Sequence, residues 1–364
     1  MRRVKQIDTR TQNWAAGTTT LPIGFQDFWI TGMDLTFTLY IVDSGGAAPY
    51  QDWLARAVTS VIINDGGRQY LMANGTKDIR PLYWGNRMRL QGRARMPDHI
   101  SGSKQYQWTI PILFSPEPVV YDDQLNFWDS RVGIRPSAGL NMQIVFGAAT
   151  TPGNTLTITT SGNYCLWQVT YYGIIPEPGD TPPQFYPNWQ TSLFTPPSTG
   201  QGLQVANQIN PGPFYRRTHQ MITLGAQDGS SDVRSTGATY SSGSQTLTGI
   251  SEVGIQTADN RHPIYQKLWE KSRESQSQFE VADDNSVAIA FGAASTAYAT
   301  STVNASWNVG VFHDDWSRYL AGADPVFGFN SAGKANNWLS TAYTVDTTAN
   351  TPYVSLFHEA YMPY

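Results

Sequence analysis

Three acidic clusters are the residues of this chain whose types and spacing could support chemistry. They are Asp122-Asp123, Asp283-Asp284-Asn285 and His313-Asp314-Asp315. Carboxylate and amide oxygens on a loop can bind Ca²⁺, and a pair of carboxylates can act as the acid and nucleophile of a glycosidase. None of the clusters has the twelve-residue spacing of an EF-hand loop, and the sequence does not fix the distance between the carboxylates. Turn formation is the alternative, and no cofactor is expected beyond a structural Ca²⁺ at these loops.

Nucleophilic and zinc chemistry have no local motif in this chain. The histidines are His99, His219, His262, His313 and His358. They form neither H-E-x-x-H nor a cysteine–histidine zinc spacing, and G-x-S-x-G, Walker and G-x-G-x-x-G motifs are absent. A Ser-His-Asp triad is assembled in space, so it stays open. Cys165 is the single cysteine of the chain, which excludes an internal disulfide framework. It lies in an apolar strand-like run, which predicts that it is a small core residue.

Five arginines lie close together in the sequence, around Tyr83 and Trp84. They are Arg80, Arg87, Arg89, Arg93 and Arg95. Basic residues mixed with aromatic ones can hold single-stranded nucleic acid. The chain has a net charge of −4, however, and Asp78 and Asp98 flank the cluster. Because arginine is enriched at protein interfaces, we predict intersubunit contacts here, with a solvated face as the alternative and no sequence-specific nucleic-acid partner.

The N-terminal ten residues form a second basic segment. The cations Arg2, Arg3, Lys5 and Arg10 have only Asp8 against them. This imbalance predicts a basic arm that contacts an anionic partner. An ordinary solvated and poorly ordered terminus is the alternative.

Four tryptophans are predicted to lie in loops. They are Trp128, Trp189, Trp316 and Trp338. Exposed aromatic rings on a β-sandwich can stack against sugars, which makes these residues candidate carbohydrate contacts. Packing in the core or between subunits is the more common role of tryptophan.

The composition favours many short strands. The chain has 364 residues, which predicts two domains, and 32 Gly with 22 Pro, which predict frequent turns. Only 14% of the residues are charged and 13% are aromatic, a balance typical of a surface covered by neighbouring subunits. The N-terminus has no signal-peptide pattern and no apolar run reaches the length of a membrane span. We therefore expect a soluble protein made in a cytoplasm.

Alternation of apolar and polar residues predicts most strands. It is clearest at 33–41, which is followed by a helix opened by Pro49, a strand over 58–63 and a tight turn at Asn64-Asp65-Gly66-Gly67. Further strands are predicted at 105–114, 142–146, 155–160, 164–174, 219–226, 247–257, 287–291, 303–311 and 353–361. Too few helices lie between the strands for a parallel sheet, so the pattern indicates antiparallel sandwiches.

Two irregular stretches divide this pattern. Residues 176–213 contain so many prolines that neither a helix nor a central strand is expected there. Residues 231–244 are rich in Ser and Gly and are predicted to form a polar loop. We place the domain boundary in the first stretch, which gives domains at 1–175 and 214–364 joined by the linker 176–213.

A pattern that occurs twice indicates a duplicated β unit. Ile30-Thr31-Gly32-Met33-Asp34 precedes a strand and a proline-opened helix, and Leu247-Thr248-Gly249-Ile250-Ser251 does the same far downstream. The two glycines lie 217 positions apart (249 minus 32). Because the identities are few, chance similarity is the alternative.

The order of these elements resembles a known family. The strand at 33–41, the turn at 64–67 and Gln107-Trp108-Thr109-Ile110-Pro111-Ile112-Leu113-Phe114 resemble the first jelly roll of double jelly-roll major capsid proteins. These proteins build tailless icosahedral viruses with an internal membrane (the PRD1 and adenovirus-like lineage), mostly infecting bacteria and archaea. The second unit, with a helix over 262–277 and a C-terminal strand, is similar to the second roll.

The resemblance implies an all-β fold of two tandem eight-stranded jelly rolls, each with a short helix, joined by the proline-rich linker. It implies a homotrimer whose six rolls make a pseudo-hexagonal capsomer of a virion shell, without catalysis. Its partners would be neighbouring capsomers, penton or minor capsid proteins and the internal membrane, which the basic arm would contact. A carbohydrate-binding or glycan-cleaving β-sandwich, or a viral spike, is the alternative function.

Overall fold

A computed structural model shows a protein built almost entirely of β-strands. It describes residues 1–24, 27–44, 54–74, 79, 82, 97, 102–117, 119–120, 124–125, 127–150, 156–160, 165–194, 203–207, 212–224, 239–247, 311–315, 324–332, 339–346 and 352–364. Within these ranges the helical structure is one 3₁₀ turn, Ala55–Ala57, and the single helical residue Leu82. The expected all-β class is confirmed.

The first eleven strands make up what we call the first unit. They are β1 (Arg2–Gln12), β2 (Gly17–Pro22), β3 (Trp29–Asp43), β4 (Val58–Asn64), β5 (Gln69–Asn74), β6 (Lys104–Leu113), β7 (Val119–Val120), β8 (Gln124–Leu125), β9 (Asn141–Phe146), β10 (Leu156–Ile158) and β11 (Cys165–Ile175). One sheet has the order β1-β11-β3-β6, and the strands β2-β9-β4-β5 lie side by side in the other. All of these pairs are antiparallel.

The remaining strands follow from residue 185 onward. They are β12 (Phe185–Pro187), β13 (Trp189–Phe194), β14 (Leu203–Asn207), β15 (Phe214–Leu224), β16 (Thr239–Leu247), β17 (Val311–Asp315), β18 (Phe329–Asn330), β19 (Leu339–Asp346) and β20 (Pro352–Pro363). We call β13 to β20 the second unit. Its strands β13-β20-β15-β17 lie side by side, and β14-β19-β16 form a separate sheet.

The core of the first unit lies between its two sheets. The strand at 33–41 is confirmed within β3, and its alternate apolar residues are buried: Met33, Leu35, Phe37, Leu39 and Ile41. Phe37 meets Phe146 of the opposite sheet edge-on, with ring centroids 6.1 Å apart. Cys165 is fully buried in the same core, as predicted. Burial raises the pKa of its thiol to about 12.

The predicted hairpin is also confirmed. Asp65 closes the turn between β4 and β5 because its Oδ1 accepts hydrogen bonds from the backbone N–H groups of Gly67 (3.1 Å) and Arg68 (2.6 Å). Gly66 takes the left-handed conformation there, with φ of 81°. Of the predicted helix, residues 49–53 lie outside the described ranges, and the chain after the 3₁₀ turn is already strand β4.

The N-terminal segment is a strand rather than a free arm. All eleven residues of β1 pair with β11, from Arg2 opposite Ile175 to Gln12 opposite Cys165. Sequence alternation missed this strand because it lies at a sheet edge with most side chains exposed on both faces. The basic residues therefore belong to the sandwich itself.

The proline-rich stretch 176–213 contains three strands, so the expectation that it holds no central strand is wrong. β13 lies between β20 and β5, and β14 pairs with β19. The prolines flank these strands, since Pro187 ends β12 and Pro196 follows β13. The predicted boundaries at 175 and 213 are not otherwise tested and stay a prediction.

Two further predictions need correction. Residues 239–244, expected in a polar loop, belong to β16, which pairs with β19 through backbone groups that need no apolar side chains. His313-Asp314-Asp315, expected in a loop, belong to β17 and pair with β15. The predicted elements at 248–257, 262–277, 287–291 and 303–310 lie outside the described residues.

The two units have β-bulges at equivalent positions of their strand pairing. In β3 the pairing with β11 skips Thr31, since Tyr172 lies opposite Gly32 and Gly173 opposite Ile30. In β15 the pairing with β20 skips Arg216 in the same way. A second pair of bulges occurs where β4 meets β9 and where β16 meets β19. Because bulges fix register, the duplication is structural.

The register of the repeat differs from the one predicted. The strand that takes the place of β3 is β15, and the offset between the two bulge residues is 185 positions (216 minus 31). Gly32 is therefore matched by Arg217, whereas its predicted counterpart, Gly249, lies outside the described residues. Leu247, which begins the second copy of that pattern, ends β16 in the other sheet.

Candidate assembly surfaces

The two units are joined by one continuous sheet. β13 runs parallel to β5, with Trp189 opposite Leu71 and Gln190 opposite Met72. Thr191 Oγ1 donates a hydrogen bond to the Met72 carbonyl at 3.0 Å. Strand β13 of the second unit is therefore hydrogen-bonded directly to strand β5 of the first.

Trp189 is the centre of this junction. It is completely buried and meets Phe114 of the first unit at 5.5 Å and Phe357 of β20 at 5.8 Å, both edge-on. Edge-to-face packing of this kind adds to the energy of burying the rings. Trp189 is thus a core residue and not an exposed sugar platform.

A buried ionic cluster lies beside the tryptophan. Glu359, completely buried, accepts from Arg217 Nη1 at 3.0 Å and is 2.8 Å from His219 Nε2. Arg217 Nη2 also donates to the Pro116 carbonyl of the first unit at 2.9 Å. Arg217 consequently ties the second unit to the segment that follows β6.

The opposite face of the same strands carries a second histidine. His358 Nδ1 is 3.2 Å from Thr218 Oγ1, and both residues are buried. Burial, with a smaller contribution from nearby His219, lowers the pKa of His358 to about 4. His358 is therefore neutral at physiological pH.

The first unit has a polar pair at the positions that match His219 and Glu359. Tyr172 donates its hydroxyl proton to Asp34 Oδ2 at 2.8 Å. Burial raises the pKa of Asp34, while the Tyr172 hydrogen bond and the Lys5 ammonium oppose part of this increase. Lys5 also lies over the Tyr172 ring, 5.7 Å from its centroid.

Several cationic groups at the N-terminal end of the chain contact near neighbours. Arg3 lies over the Trp128 ring at 5.3 Å, and the Trp128 indole donates to the Val4 carbonyl at 3.2 Å. The N-terminal ammonium pairs with Glu177 (3.0 Å) and Asp180 (2.6 Å). Arg10 pairs with Asp8 at 3.3 Å. These contacts favour an ordered edge over a mobile basic tail.

Several predicted site residues lie outside the described ranges. They are Arg80, Arg87, Arg89, Arg93, Arg95, Trp316, Trp338, Asp122, Asp123, Asp283, Asp284 and Asn285. Among the residues that are described, no group of three or more His, Cys, Asp or Glu could hold a metal ion. No described helix has the length and hydropathy needed to cross a membrane.

The junction residues were not predicted from the sequence as a site. In the sequence His219 and His358 stand as isolated histidines, and no motif includes Arg217 or Glu359. A usable signal is the unusual run of buried polar residues in strands, such as His358-Glu359 between Phe357 and Ala360. Buried polar groups in strands are hydrogen-bonded to a partner. The pair His358-Glu359 in an apolar strand therefore predicts that another element supplies hydrogen-bond partners for it.

Comparison with solved structures identifies the fold. The major capsid protein of Sulfolobus turreted icosahedral virus matches with a TM-score of 0.61 at 14% identity, over 100% of this chain and 97% of that one. A chain from the atomic structure of the same virus matches with a TM-score of 0.60 at 13% identity, over 100% and 91%.

The chain has the double jelly-roll fold. The Faustovirus major capsid protein matches it as well, with a TM-score of 0.52 at 9% identity over 100% of this chain and 90% of that one. No protein-family model and no curated protein sequence matches the chain. Each unit is one jelly roll, and the expected short helices and proline-rich linker are not confirmed.

Proposed function

We propose that this protein is the major capsid subunit of an icosahedral virion. The observation that supports it most strongly is the pair of jelly rolls with matching bulges, which aligns over the whole chain with viral major capsid proteins. Each chain supplies two similar rolls, so a homotrimer supplies six to a pseudo-hexagonal capsomer. The function is self-association, and no catalytic step is part of the proposal.

The low charge of the chain fits this role. Only 14% of residues are charged, and the Thr36 and Thr109 hydroxyls meet at 2.9 Å on the outer face of the first sheet. Burial of neutral, hydrogen-bonded polar groups of this kind between subunits costs less free energy than burial of charged groups. Among the described residues nothing favours the carbohydrate-binding alternative, since Trp189 is buried at the junction.

Neighbouring capsomers, penton or minor capsid proteins and an internal membrane are the further partners we propose. The arginines at 80–95 remain candidate intersubunit contacts. The basic residues of β1 remain candidate contacts to lipid head groups or the shell interior, now from an ordered strand.

Light scattering on the purified protein after size exclusion tests the proposal, together with electron microscopy of concentrated samples. Trimers, or larger shell-like particles, support it. A strict monomer at every concentration that binds glycans would contradict it.

A further inference from the structure

The strand pairing shows which backbone groups β3 directs toward β11. The Tyr40 carbonyl of β3 accepts a hydrogen bond from the backbone N–H of Thr159, next to β10, at 2.9 Å. β10 and β11 pair with β3 along the same side, because β6 occupies the other side. In an antiparallel sheet the backbone groups of successive residues point to alternate sides. The even-numbered residues of β3 from Asp34 to Tyr40 therefore point toward β11.

The same alternation assigns the two sides of β11 and of β1. Thr36 lies opposite Gln168, so the even-numbered residues of β11 point to β3 and the odd-numbered ones to β1. Val169 lies opposite Asp8, so the even-numbered residues of β1 point to β11. The odd-numbered residues of β1 direct their backbone N–H and C=O groups away from the sheet. They are Arg3, Lys5, Ile7, Thr9 and Thr11.

This free edge of β1 is unpaired among the described residues. Among the described strands β1 pairs with β11 alone, and the hydrogen bonds of the described chain give the odd-numbered backbone groups no other partner. Val4, whose carbonyl accepts from the Trp128 indole, is even-numbered and belongs to the other side. β1 contains neither a bulge nor a proline. A long, regular edge of this kind is a template for pairing with another chain.

The charge of β1 selects the kind of strand that this edge fits. Arg10 is paired with Asp8 at 3.3 Å, whereas Arg2, Arg3 and Lys5 have no carboxylate within salt-bridge distance among the described residues. A second copy of β1 would place cations opposite cations, which destabilises strand pairing. An acidic strand would meet opposite charges instead. An anionic lipid surface would also meet them, but it offers no regular row of backbone donors and acceptors.

We infer that the free edge of β1 binds an extended, acidic segment of another protein, which adds a strand to the sheet. Main-chain hydrogen bonds to the odd-numbered residues supply affinity in this mode, and side chains supply specificity. Asp or Glu side chains of the segment lie beside Arg3 and Lys5, which share one face of the sheet. This binding mode goes beyond the proposed function and does not depend on it, since it needs only the first unit.

Fluorescence anisotropy with a labelled synthetic peptide tests the inference. The probe is about ten residues long and alternates Glu with Thr, which favours strands. Ile7→Pro removes one N–H from the centre of the free edge and leaves the bonds to β11 in place, because an edge strand tolerates proline where the N–H faces solvent. Ile7→Val keeps that N–H and serves as the matched control.

We expect the acidic peptide to bind the parent protein and Ile7→Val alike, and Ile7→Pro about tenfold more weakly. The same peptide with N-methyl groups on adjacent residues keeps its charge but cannot pair through either edge. Its binding to the parent should also be about tenfold weaker, and this comparison decides the test if Ile7→Pro fails to fold.

Equal binding of the two peptides would assign the interaction to charge attraction alone and overturn the inference. Equal binding by folded Ile7→Pro and Ile7→Val would overturn it too. The same holds if the acidic peptide does not bind, if β1 pairs with a second copy of itself, or if only anionic vesicles bind. The capsid role is tested separately by the mass of the protein in solution and stands or falls independently of these results.

Discussion

His219 Nε2 lies 2.8 Å from Glu359 Oε1, inside the contact between the two units. The matching positions in the first unit hold Asp34 and Tyr172, whose hydrogen bond is also 2.8 Å long. The two pairs thus occupy equivalent positions of the backbone, but their side chains are of different types. In the second unit both members of the pair are buried, whereas in the first unit Tyr172 is buried and Asp34 is partly exposed.

Loss of the Glu359 carboxylate should be costly. Glu359→Ala removes the shared acceptor of buried His219 and partly buried Arg217, and breaking a buried ion pair costs about 3–5 kcal/mol. Tyr172→Phe removes the matching hydrogen bond at a less buried site and should cost about 1 kcal/mol. Urea denaturation of both variants measures the difference in the free energy of unfolding. Equal costs would show that the junction does not depend on the ion pair.

Stability should fall in mild acid because of His358. Its folded pKa is about 4 and its ordinary value is 6.5, so the unfolded chain binds the proton more tightly. The contribution is fully present above pH 6.5 and is lost as the pH falls toward 4, on the order of 3 kcal/mol in total. Denaturation at pH 7 and pH 5 should show a smaller pH dependence in His358→Gln. An unchanged pH dependence in that variant would assign the effect to other groups.

Removal of residues 1–10 should unfold the first unit. The deletion takes away most of β1 and its pairing with β11, and cross-strand pairs at about 0.2–1 kcal/mol each add up to much of a typical total stability. Circular dichroism and thermal melts of the truncated protein measure this outcome. A truncated protein that melts like the parent would restore the view of this segment as a detachable arm.

The role of the positive charges of β1 can be tested without removing the strand. Simultaneous replacement of Arg2, Arg3, Lys5 and Arg10 by Gln keeps the strand and should shift the melting temperature by only a few degrees, since exposed ion pairs contribute about 0–1 kcal/mol. If the basic face contacts lipid, the variant should lose binding to anionic vesicles that the parent retains. Equal vesicle binding by both proteins would remove β1 from that role.

Trp189→Ala should loosen the contact between the units. Replacing a fully buried tryptophan by alanine costs about 3–5 kcal/mol, whereas Trp128→Ala, at a half-buried position beside Arg3, should cost less. Thermal melts rank the two variants. On a glycan array we expect the same glycan binding for Trp189→Ala as for the parent protein. A specific loss of glycan binding in the variant would instead support a sugar-contacting role.

The sequence was most informative where one face of a strand is buried. Met33 to Ile41 alternate cleanly because β3 lies at the centre of a sandwich, so both the strand and its buried face could be predicted. β1 could not be found in this way, because its two apolar residues, Val4 and Ile7, point to opposite faces of an edge strand. The turn at Asn64–Gly67 was predictable since its side-chain and glycine requirements are local.

The junction and the register of the repeat depend on distant pairing. β13 is short and lies among prolines, and its place between β5 and β20 becomes evident only from the folded sheet. The bulge residues themselves, Thr31 and Arg216, differ in type, so the sequence does not mark them as equivalent. The likeness around Gly32 and Gly249 is the stronger pattern in the sequence.

The mass of the purified protein in solution, measured by light scattering across a concentration series, tests the central claim most directly. We predict a stable species of three chains, with larger assemblies at high concentration, as expected when six jelly rolls close into one capsomer. A protein that remains a single chain throughout, with both units folded, would contradict a capsid role.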